Sequence, residues 1–306
     1  MQTILGANGT IGTTLAKELA AYTDKIRLVS RTPKKINDTD ELFPADLSDS
    51  LQVEKAIEGS EIVYLLVGLE YKLSVWRKQW PALMRSVVNA CTKHHAKLVF
   101  FDNVYIYDKN AIPHMTEDSP VNPPSEKGKV RKEVVDIMIN EVQQGKLQGL
   151  IARSADFYGP RNDKSVLQEM AYKNLKKGKS PNWMINADKI HSFTYTPDAA
   201  KAVAILGNTP SAYNQVWHMP TSDEKLTARQ VIELFNKEMG TSKKVKLFPI
   251  WMLKLLGIFI PILREMPEMM YQNDRDYFFD SSKFNKQFSF TPTSYTEGVK
   301  KTVAAG

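Results

Sequence analysis

The sequence lacks several features, and each absence narrows the range of possible functions. It carries a single cysteine, Cys91, in 306 residues. An internal disulfide is therefore impossible, and a reducing compartment is expected. The chain does not open with a cationic segment followed by an apolar stretch, which predicts that there is no cleaved leader and, with the lone cysteine, a cytoplasmic location. Internal repeats and low-complexity stretches are lacking too.

A long uninterrupted apolar run is also lacking. The most apolar segment, residues 247–263, is interrupted by Lys254 and by two prolines. Its longest apolar stretch is shorter than the roughly 20 residues that a membrane-spanning helix needs. The sequence thus predicts no stable membrane span. We expect this segment to form an apolar wall of the substrate-binding part, and a lid, a dimer face or an interfacial contact stay open.

The composition is that of a globular protein, with 42% hydrophobic and 25% charged residues. The formal charge of +7 comes from scattered lysines that match no nucleic-acid-binding motif. This pattern predicts no nucleic-acid partner and favours small anionic ligands. The paired His94 and His95 have no third ligand in view, so no metal site is expected. A homodimer remains open.

The first residues predict a strand, a glycine turn and a helix in one unit. The apolar segment Gln2–Leu5 runs into Gly6-Ala-Asn-Gly9-Thr-Ile-Gly12, and a helical pattern follows. Glycines allow a tight turn and let the backbone approach a pyrophosphate, which then lies at the positive N-terminus of the helix. This arrangement favours a dinucleotide site over an ordinary strand-to-helix turn.

Apolar strands alternate with helical patterns through the first half of the chain, which predicts an α/β fold with a doubly wound parallel sheet of the Rossmann type. We expect a Rossmann domain at 1–155, with 188–206 returning to it, and a smaller C-terminal substrate lobe in most of 156–306. Later, a helix is expected from Thr227 as cap to Gly240 as end. The predicted strands are 2–5, 25–30, 62–67, 97–102 and 147–152.

The end of the second strand carries no acidic residue to hold a ribose 2′-hydroxyl, as NAD-selective proteins usually do. Ser30 and Arg31 stand there instead. Their side chains could hold a 2′-phosphate, and a charge-assisted hydrogen bond of this kind contributes about 1.5–3 kcal/mol. NADP(H) is therefore favoured over NAD(H), with an arginine on a solvated loop as the alternative.

Two further segments, 102–108 and 122–131, together with the GxxGxxG spacing, resemble the extended short-chain dehydrogenases/reductases, the NAD-dependent epimerase/dehydratase family. Members carry a Ser or Thr three residues before Val-Tyr-Gly and then a Tyr-x-x-x-Lys pair. The resemblance puts Asn103, Lys127 and Arg131 at those three positions. The usual catalytic residues are thus replaced, although the resemblance covers essentially the whole chain.

The resemblance implies hydride transfer to or from a carbon bearing oxygen, on a small organic or sugar-like substrate. Asn103 would polarise the oxygen and Arg131 would hold the cofactor ribose. Lys127 would move the proton, although as a cation it lacks a neutral acid form. Tyr105 is a second candidate, because it and Tyr107 are expected on an extended segment, pointing the same way. Tyr107 is expected to be the structural tyrosine of the Val-Tyr-Gly motif, and a core or lobe-interface position for Tyr105 stays open. The alternative is a non-catalytic NADP(H)-binding sensor or scaffold.

The family pattern also assigns cofactor contacts beyond Ser30, Arg31 and Arg131. A histidine, His191, could touch the substrate, although a lone histidine on a strand is more often structural. The implied contacts are Gly6, Asn8, Gly9, Thr10, Ile11 and Gly12 in the first turn, Asp46 and Leu47 at the end of the third strand, Val67 and Gly68 after the fourth, and Arg153 after the sixth.

Overall fold

The computed structural model describes residues 1–162 and 165–306. Its largest feature is a seven-stranded sheet with the order β10-β6-β5-β4-β1-β2-β3. The strands are β1 (Gln2–Leu5), β2 (Ile26–Ser30), β3 (Glu41–Pro44), β4 (Ile62–Leu65), β5 (Lys97–Asn103), β6 (Gly149–Ser154), β7 (Asp156–Tyr158), β8 (Asn182–Met184), β9 (Phe193–Tyr195), β10 (Val216–His218) and β11 (Lys246–Phe248).

Helices separate most of these strands. They are α1 (Thr10–Leu19), α2 (Ser50–Ile57), α3 (Leu73–Lys93), α4 (Glu126–Gln143), α5 (Lys173–Lys176), α6 (Thr196–Gly207), α7 (Ala228–Glu238), α8 (Ile250–Leu256), α9 (Pro261–Arg264), α10 (Ser282–Gln287) and α11 (Tyr295–Ala304). Within the described residues, no helix is both long and apolar enough to cross a bilayer.

The strand order reverses beside β1, which pairs in parallel with β2 on one side and with β4 on the other. Every residue of β1 and of β4 is buried. Continuous burial of this kind is typical of parallel strands covered by helices on both faces. The predicted doubly wound α/β fold is confirmed, and its ligand crevice is expected outside the carboxyl ends of β1 and β4.

The chain divides into two compact units. Unit 1 comprises 1–102, 127–153 and 199–217, and unit 2 comprises 103–126, 154–198 and 218–306. Unit 1 holds nearly all of the central sheet. The boundary at residue 155 stays a prediction about which part binds cofactor and which part binds substrate.

Unit 2 contains two small parallel pairs, β7 with β9 and β8 with β11. Helix α7 begins as expected from Thr227, whose side chain accepts from the Gln230 N–H in a reciprocal capping box. It ends before Gly240, which takes a φ of +64°.

Cys91 lies on α3 inside unit 1 and has no exposed surface. Burial raises the pKa of its thiol far above the ordinary value. The side chain therefore packs as a small apolar group and is not a reactive thiolate.

Candidate functional site

The glycine turn after β1 is packed so tightly that side chains cannot replace its hydrogens. Gly6 has a φ of +91°, and a Cβ on it would lie 3.1 Å from the backbone of Leu66 and Val67. A Cβ on Gly12 would lie 2.8 Å from the Gly6 carbonyl oxygen and 2.9 Å from Ala7. The start of α1 is therefore pressed against its own turn, and the end of β4 passes beside it.

The N-terminus of α1 is built from backbone groups. Gly9 is the N-cap and brings no side chain to the first helical amides. Asn8 ties the turn to the segment after β2, because its Nδ2 donates to the Thr32 carbonyl at 2.8 Å. Thr10 and Ile11 then begin the helix. Open amides and the helix dipole make this end suited to an anionic group.

The end of β2 leaves one polar atom unsatisfied. Ser30 Oγ is buried and has no hydrogen-bond partner among the described residues. Its neighbour Arg31 is exposed. A buried hydroxyl without a partner costs stability unless a ligand supplies one. The residues at this position could therefore donate hydrogen bonds to the adenosine ribose of a dinucleotide.

Asp46 follows β3 and is exposed. The backbone and hydroxyl of Ser48 both donate to its Oδ1 at 2.9 Å. These hydrogen bonds lower the pKa of the Asp46 carboxyl, with a smaller contribution from the charge of Arg31. Leu47 beside it is half-buried, and Gly68 after β4 has open space where a Cβ would be. We call Asp46, Leu47, Val67 and Gly68 the rim. An adenine dinucleotide would fit the glycine turn together with Ser30, Arg31 and this rim.

Asp102 lies between two arginines in the interior of unit 1. Arg131 donates to its Oδ1 from Nε at 2.9 Å and from Nη2 at 2.5 Å. Arg153 donates to its Oδ2 from Nε and Nη2, both at 3.2 Å. The three side chains are at most 3% exposed. We call them the Asp102 clamp, and its carboxylate is fully occupied by charged donors.

Aromatic rings enclose the Arg131 guanidinium. Its Cζ lies 4.3 Å from the Trp80 ring centroid and 4.8 Å from that of Phe100. Such cation–π contacts are strongest where water is excluded. Two of the three guanidinium nitrogens are thus committed to Asp102, and a ribose contact through the third stays a prediction.

Sequence reasoning missed this structural role of Arg131 and gave Asp102 no role. A signal was present, because Asp102 ends the apolar pattern 97–102. Aspartate is almost never fully buried without a cationic partner. Arg153 likewise follows an apolar run, 147–152, and so carries the same signal of a buried ion pair. Its contact with the cofactor stays a prediction.

Lys127 is fully buried in unit 1, with no exposed surface. It lies in the first turn of α4, and its Nζ is 4.9 Å from the centroid of the Tyr71 ring. Arg131 follows one turn later, so both side chains project from the same helix face. A cation at the positive end of a helix is unfavourable in itself, so its burial requires compensating contacts.

Asn103 and Tyr105 belong to unit 2. The expectation of an extended segment here is wrong, because β5 ends at Asn103 and the Tyr107 N–H donates to the Val104 carbonyl at 3.1 Å, which closes a turn. The Asn103 side chain starts that turn by accepting from the Tyr105 N–H at 3.1 Å. Only the Asn103 amide nitrogen is left to donate to a substrate oxygen.

Tyr107 is a structural tyrosine, as expected. Its hydroxyl lies 2.6 Å from His218 Nε2, and His218 Nδ1 lies 2.7 Å from the Asp280 carbonyl oxygen. A carbonyl can only accept, so the His218 Nδ1 carries a proton and donates to Asp280. Stacking on Phe279 at 3.9 Å fixes the ring further.

His191 is buried and paired, which the sequence did not reveal. Its Nε2 lies 2.9 Å from Asp156 Oδ2, and its ring stacks on Tyr277 at 4.3 Å. The Asp156 carboxylate is 27% exposed while the imidazole is 2% exposed. The carboxylate and the stacked ring together fix the orientation of the His191 imidazole, which suits a positioning role.

The N-terminus of α4 is capped by a later segment of unit 2. The Glu126 N–H donates to Glu268 Oε2 at 2.7 Å. Glu268 lies in the 3₁₀ helix Pro267–Gln272. In the same helix, burial raises the pKa of Tyr271, whose hydroxyl accepts from Gln272 at 3.1 Å. Within unit 2, this segment therefore satisfies the backbone N–H of Glu126.

Comparison with known proteins agrees with this architecture. Residues 3–217 match the model of the NAD dependent epimerase/dehydratase family. A search of curated proteins finds no relative of this chain. Among solved structures, dTDP-glucose 4,6-dehydratase from Streptomyces venezuelae, with NAD bound, aligns with a TM-score of 0.81 at 14% identity, over 100% of this chain and 96% of its own.

Two epimerases have the same fold. UDP-glucose 4-epimerase from Thermus thermophilus, in complex with NAD, aligns with a TM-score of 0.79 at 18% identity, over 100% of this chain and 98% of its own. The Thermotoga maritima enzyme with UDP-glucose gives a TM-score of 0.81 at 17% identity and the same coverage. At these identities the similarity shows the fold alone.

Proposed function

Because this chain belongs to the NAD-dependent epimerase/dehydratase family, we propose that it binds NADP(H) through unit 1 and acts as an oxidoreductase or epimerase on a carbonyl or alcohol of a small organic or sugar-like substrate. The glycine turn supports the dinucleotide part, since Gly6 and Gly12 have no room for a side chain. When bound, the nicotinamide supplies or accepts hydride.

The observation that carries the cofactor choice is the end of β2. An NAD-selective site usually has an acidic residue there. This chain has instead the exposed Arg31 and the Ser30 hydroxyl, which has no hydrogen-bond partner in the described part of the chain. In the proposal, both donate to the 2′-phosphate. The amides at the start of α1 hold the pyrophosphate, and Asp46, Leu47, Val67 and Gly68 form the rim.

In this proposal, a side chain of the protein exchanges the proton of the substrate's hydroxyl or carbonyl oxygen. Lys127 is kept away from water, which favours proton exchange with a substrate over exchange with solvent. Tyr105 is the second candidate, and Asn103 keeps its amide nitrogen to polarise the substrate oxygen. Arg131 would reach the cofactor ribose only through the nitrogen that Asp102 does not use.

The cofactor assignment is tested by fluorescence titration of the protein with NADPH and, separately, with NADH. We expect tighter binding of NADPH and a weakening of about ten- to one hundred-fold in Arg31→Ala, the loss of one charge-assisted hydrogen bond. NADH binding should change little. Arg85→Ala is the matched control, because Arg85 is an exposed arginine paired with Glu133 on unit 1.

The catalytic assignment is tested with Tyr105→Phe and Lys127→Met, which keep side-chain size. Each is assayed for NADPH oxidation with aldehydes, ketones and nucleotide sugars, after NADPH titration has shown an intact cofactor site. If both variants turn over as fast as the parent chain, proton transfer by these residues is abandoned.

A second function, non-catalytic NADP(H) binding as a sensor or scaffold, is favoured by the Asp102 clamp. Arg131, at the position of the family's lysine, donates two hydrogen bonds to Asp102. Lys127, which replaces the family's tyrosine, is buried. Tight NADPH binding with no oxidation across the substrate panel would support this function over the enzymatic one.

A further inference from the structure

The exposed apolar surface of the described residues is concentrated in one segment. Large hydrophobic side chains that are exposed number twelve, and eight of them lie between Leu247 and Ile262. The most exposed of these eight are Trp251 at 64%, Ile258 at 62% and Phe259 at 79%. A concentration of this kind marks an interaction surface, whereas single exposed hydrophobic residues do not.

This segment is a built element. Residues 247–264, called here the apolar hairpin, comprise the end of β11, then α8, a turn and α9. A Cβ on Gly257 would lie 3.0 Å from the Arg264 backbone, so the two helices meet closely at this glycine. Arg264 donates from Nε to the Gly257 carbonyl at 3.2 Å and from Nη2 to the Ile258 carbonyl at 3.3 Å.

The core side of the apolar hairpin is fixed while its tip faces outward. Leu253 on α8 is only 2% exposed and anchors the helix. The turn between the helices carries Ile258, Phe259 and Ile260, each at least 43% exposed. The fold therefore holds three consecutive large apolar residues in water, an arrangement that is unfavourable without a covering surface.

The charged residues from Thr241 to the end of the apolar hairpin are all basic, and Glu265 is the first acidic residue after it. From Thr241 to Arg264 the sequence contains five basic residues and no acidic one. All five are exposed. They are Lys243, Lys244, Lys246, Lys254 and Arg264. Apolar and aromatic residues beside lysine and arginine are typical of segments that lie in the interface of an anionic membrane.

We infer that the apolar hairpin docks onto the surface of a lipid bilayer that contains anionic headgroups. Phe259, Trp251 and the neighbouring aliphatic residues enter the boundary of the acyl chains, and the lysines reach back to the headgroups. Helix α8 has seven residues, so the contact is peripheral and does not span the bilayer.

The charge pattern favours a membrane over a second copy of the chain. A symmetric dimer through the apolar hairpin would bring Lys254 and Arg264 of one copy beside the same region of the other, with Lys243, Lys244 and Lys246 next to the interface on both. Like charges across an interface oppose association, and the whole chain already carries a formal charge of +7. An anionic lipid surface complements both features.

The test is flotation of the purified full chain with vesicles of phosphatidylcholine alone and of phosphatidylcholine with about one-third phosphatidylglycerol. We expect binding to the anionic vesicles and little to the neutral ones. The tip variant Ile258→Ser/Phe259→Ser/Ile260→Ser should bind at least about ten-fold more weakly, because the buried apolar area is lost. Lys246→Ser and Lys254→Ser should each lower binding about five-fold.

The matched control is Leu51→Ser, since Leu51 is 69% exposed on α2, in the other unit. It should leave vesicle binding unchanged. Circular dichroism should show that the tip variant is folded, because its three positions are exposed. Fluorescence from Trp251, taken as the difference from Trp251→Phe, should shift to shorter wavelength on anionic vesicles.

Two outcomes overturn the inference. One is that the chain does not bind anionic vesicles, or that it binds neutral and anionic vesicles equally. The other is that light scattering shows a dimer that the tip variant converts to a monomer, because the apolar hairpin would then be a subunit interface.

Discussion

Replacement of Asp102 should lower the free energy of unfolding strongly, because this carboxylate neutralises two buried arginines. We expect Asp102→Asn to lower the free energy of unfolding by about 3–5 kcal/mol, because it leaves Arg131 and Arg153 buried without a counter-charge. Urea unfolding followed by circular dichroism measures this loss.

Asp188→Asn provides the comparison. Asp188 also accepts two hydrogen bonds from an arginine, Arg229, at 2.6 and 2.9 Å, but its side chain is 62% exposed. Its loss should change stability by no more than about 1 kcal/mol. Equal losses in the two variants would contradict a buried clamp.

Glu117 should make the chain's stability depend on pH. Burial raises the pKa of its carboxyl, partly offset by the His218 N–H, which donates to Oε1 at 2.9 Å. A carboxyl with a higher pKa in the folded than in the unfolded state lowers the free energy of unfolding above its folded pKa. That penalty disappears as pH falls through the folded pKa toward the ordinary value of 4.5.

Glu117→Gln keeps the acceptor oxygen and removes the titration. Relative to this variant, the parent chain should therefore gain stability as pH falls from neutral, which paired urea unfolding curves measure as a difference. A constant difference across that range would mean that the Glu117 pKa is not raised.

Single residues show where sequence reasoning was limited. Tyr107 as a structural residue was expected, and its hydrogen bond to His218 fits that role. The turn at Val104 was not expected, because nothing in an apolar run marks where a strand stops pairing. The His191 pair with Asp156 joins residues 35 positions apart, and spacing alone cannot reveal such a contact.

The glycine turn is the element on which cofactor binding depends. Gly12→Ala should lower the free energy of unfolding by about 1–3 kcal/mol, since the new methyl group would press on the backbone of Gly6 and Ala7. NADPH binding should weaken with it. Thermal unfolding and NADPH titration measure the two effects.

Gly68→Ala is the control for stability, because a Cβ there would meet nothing within 4 Å. It should unfold at nearly the temperature of the parent chain. If Gly12→Ala is equally harmless, the start of α1 is not pressed against the turn.

Elements with strong local signals were predictable to within a few residues. Strand β1 and the capped helix α7 carry their own limits in sequence, as an apolar run before glycine and as a Thr227 cap before Gly240. The apolar hairpin was recognised as the most apolar segment, yet its exposure was not. Hydropathy reports what a segment contains, while exposure depends on what packs against it.

Unit 1 is assembled from three separate stretches of chain, which sets a limit on where it can be cut. A fragment of residues 1–155 lacks β10, the edge partner of β6. It also lacks Asn208, which accepts from Gln2 Nε2 at 2.7 Å beside the buried Tyr64. Polar backbone groups of β6 and apolar surface would be left exposed.

We therefore expect the 1–155 fragment to lack a cooperative urea transition and to precipitate at concentrations where the full chain stays clear. Circular dichroism and light scattering on both proteins measure this. A sharp transition in the fragment alone would mean that residues 199–217 add little to unit 1.

The burial of Cys91 has a practical consequence for spectroscopy. With the only thiol in the chain enclosed in α3 and its pKa raised, maleimide reagents should leave the native protein unlabelled. A cysteine placed at Phe259 would then be the single reactive position without any prior removal of the natural one. One fluorophore or spin label could report on the hairpin tip in an otherwise unaltered chain.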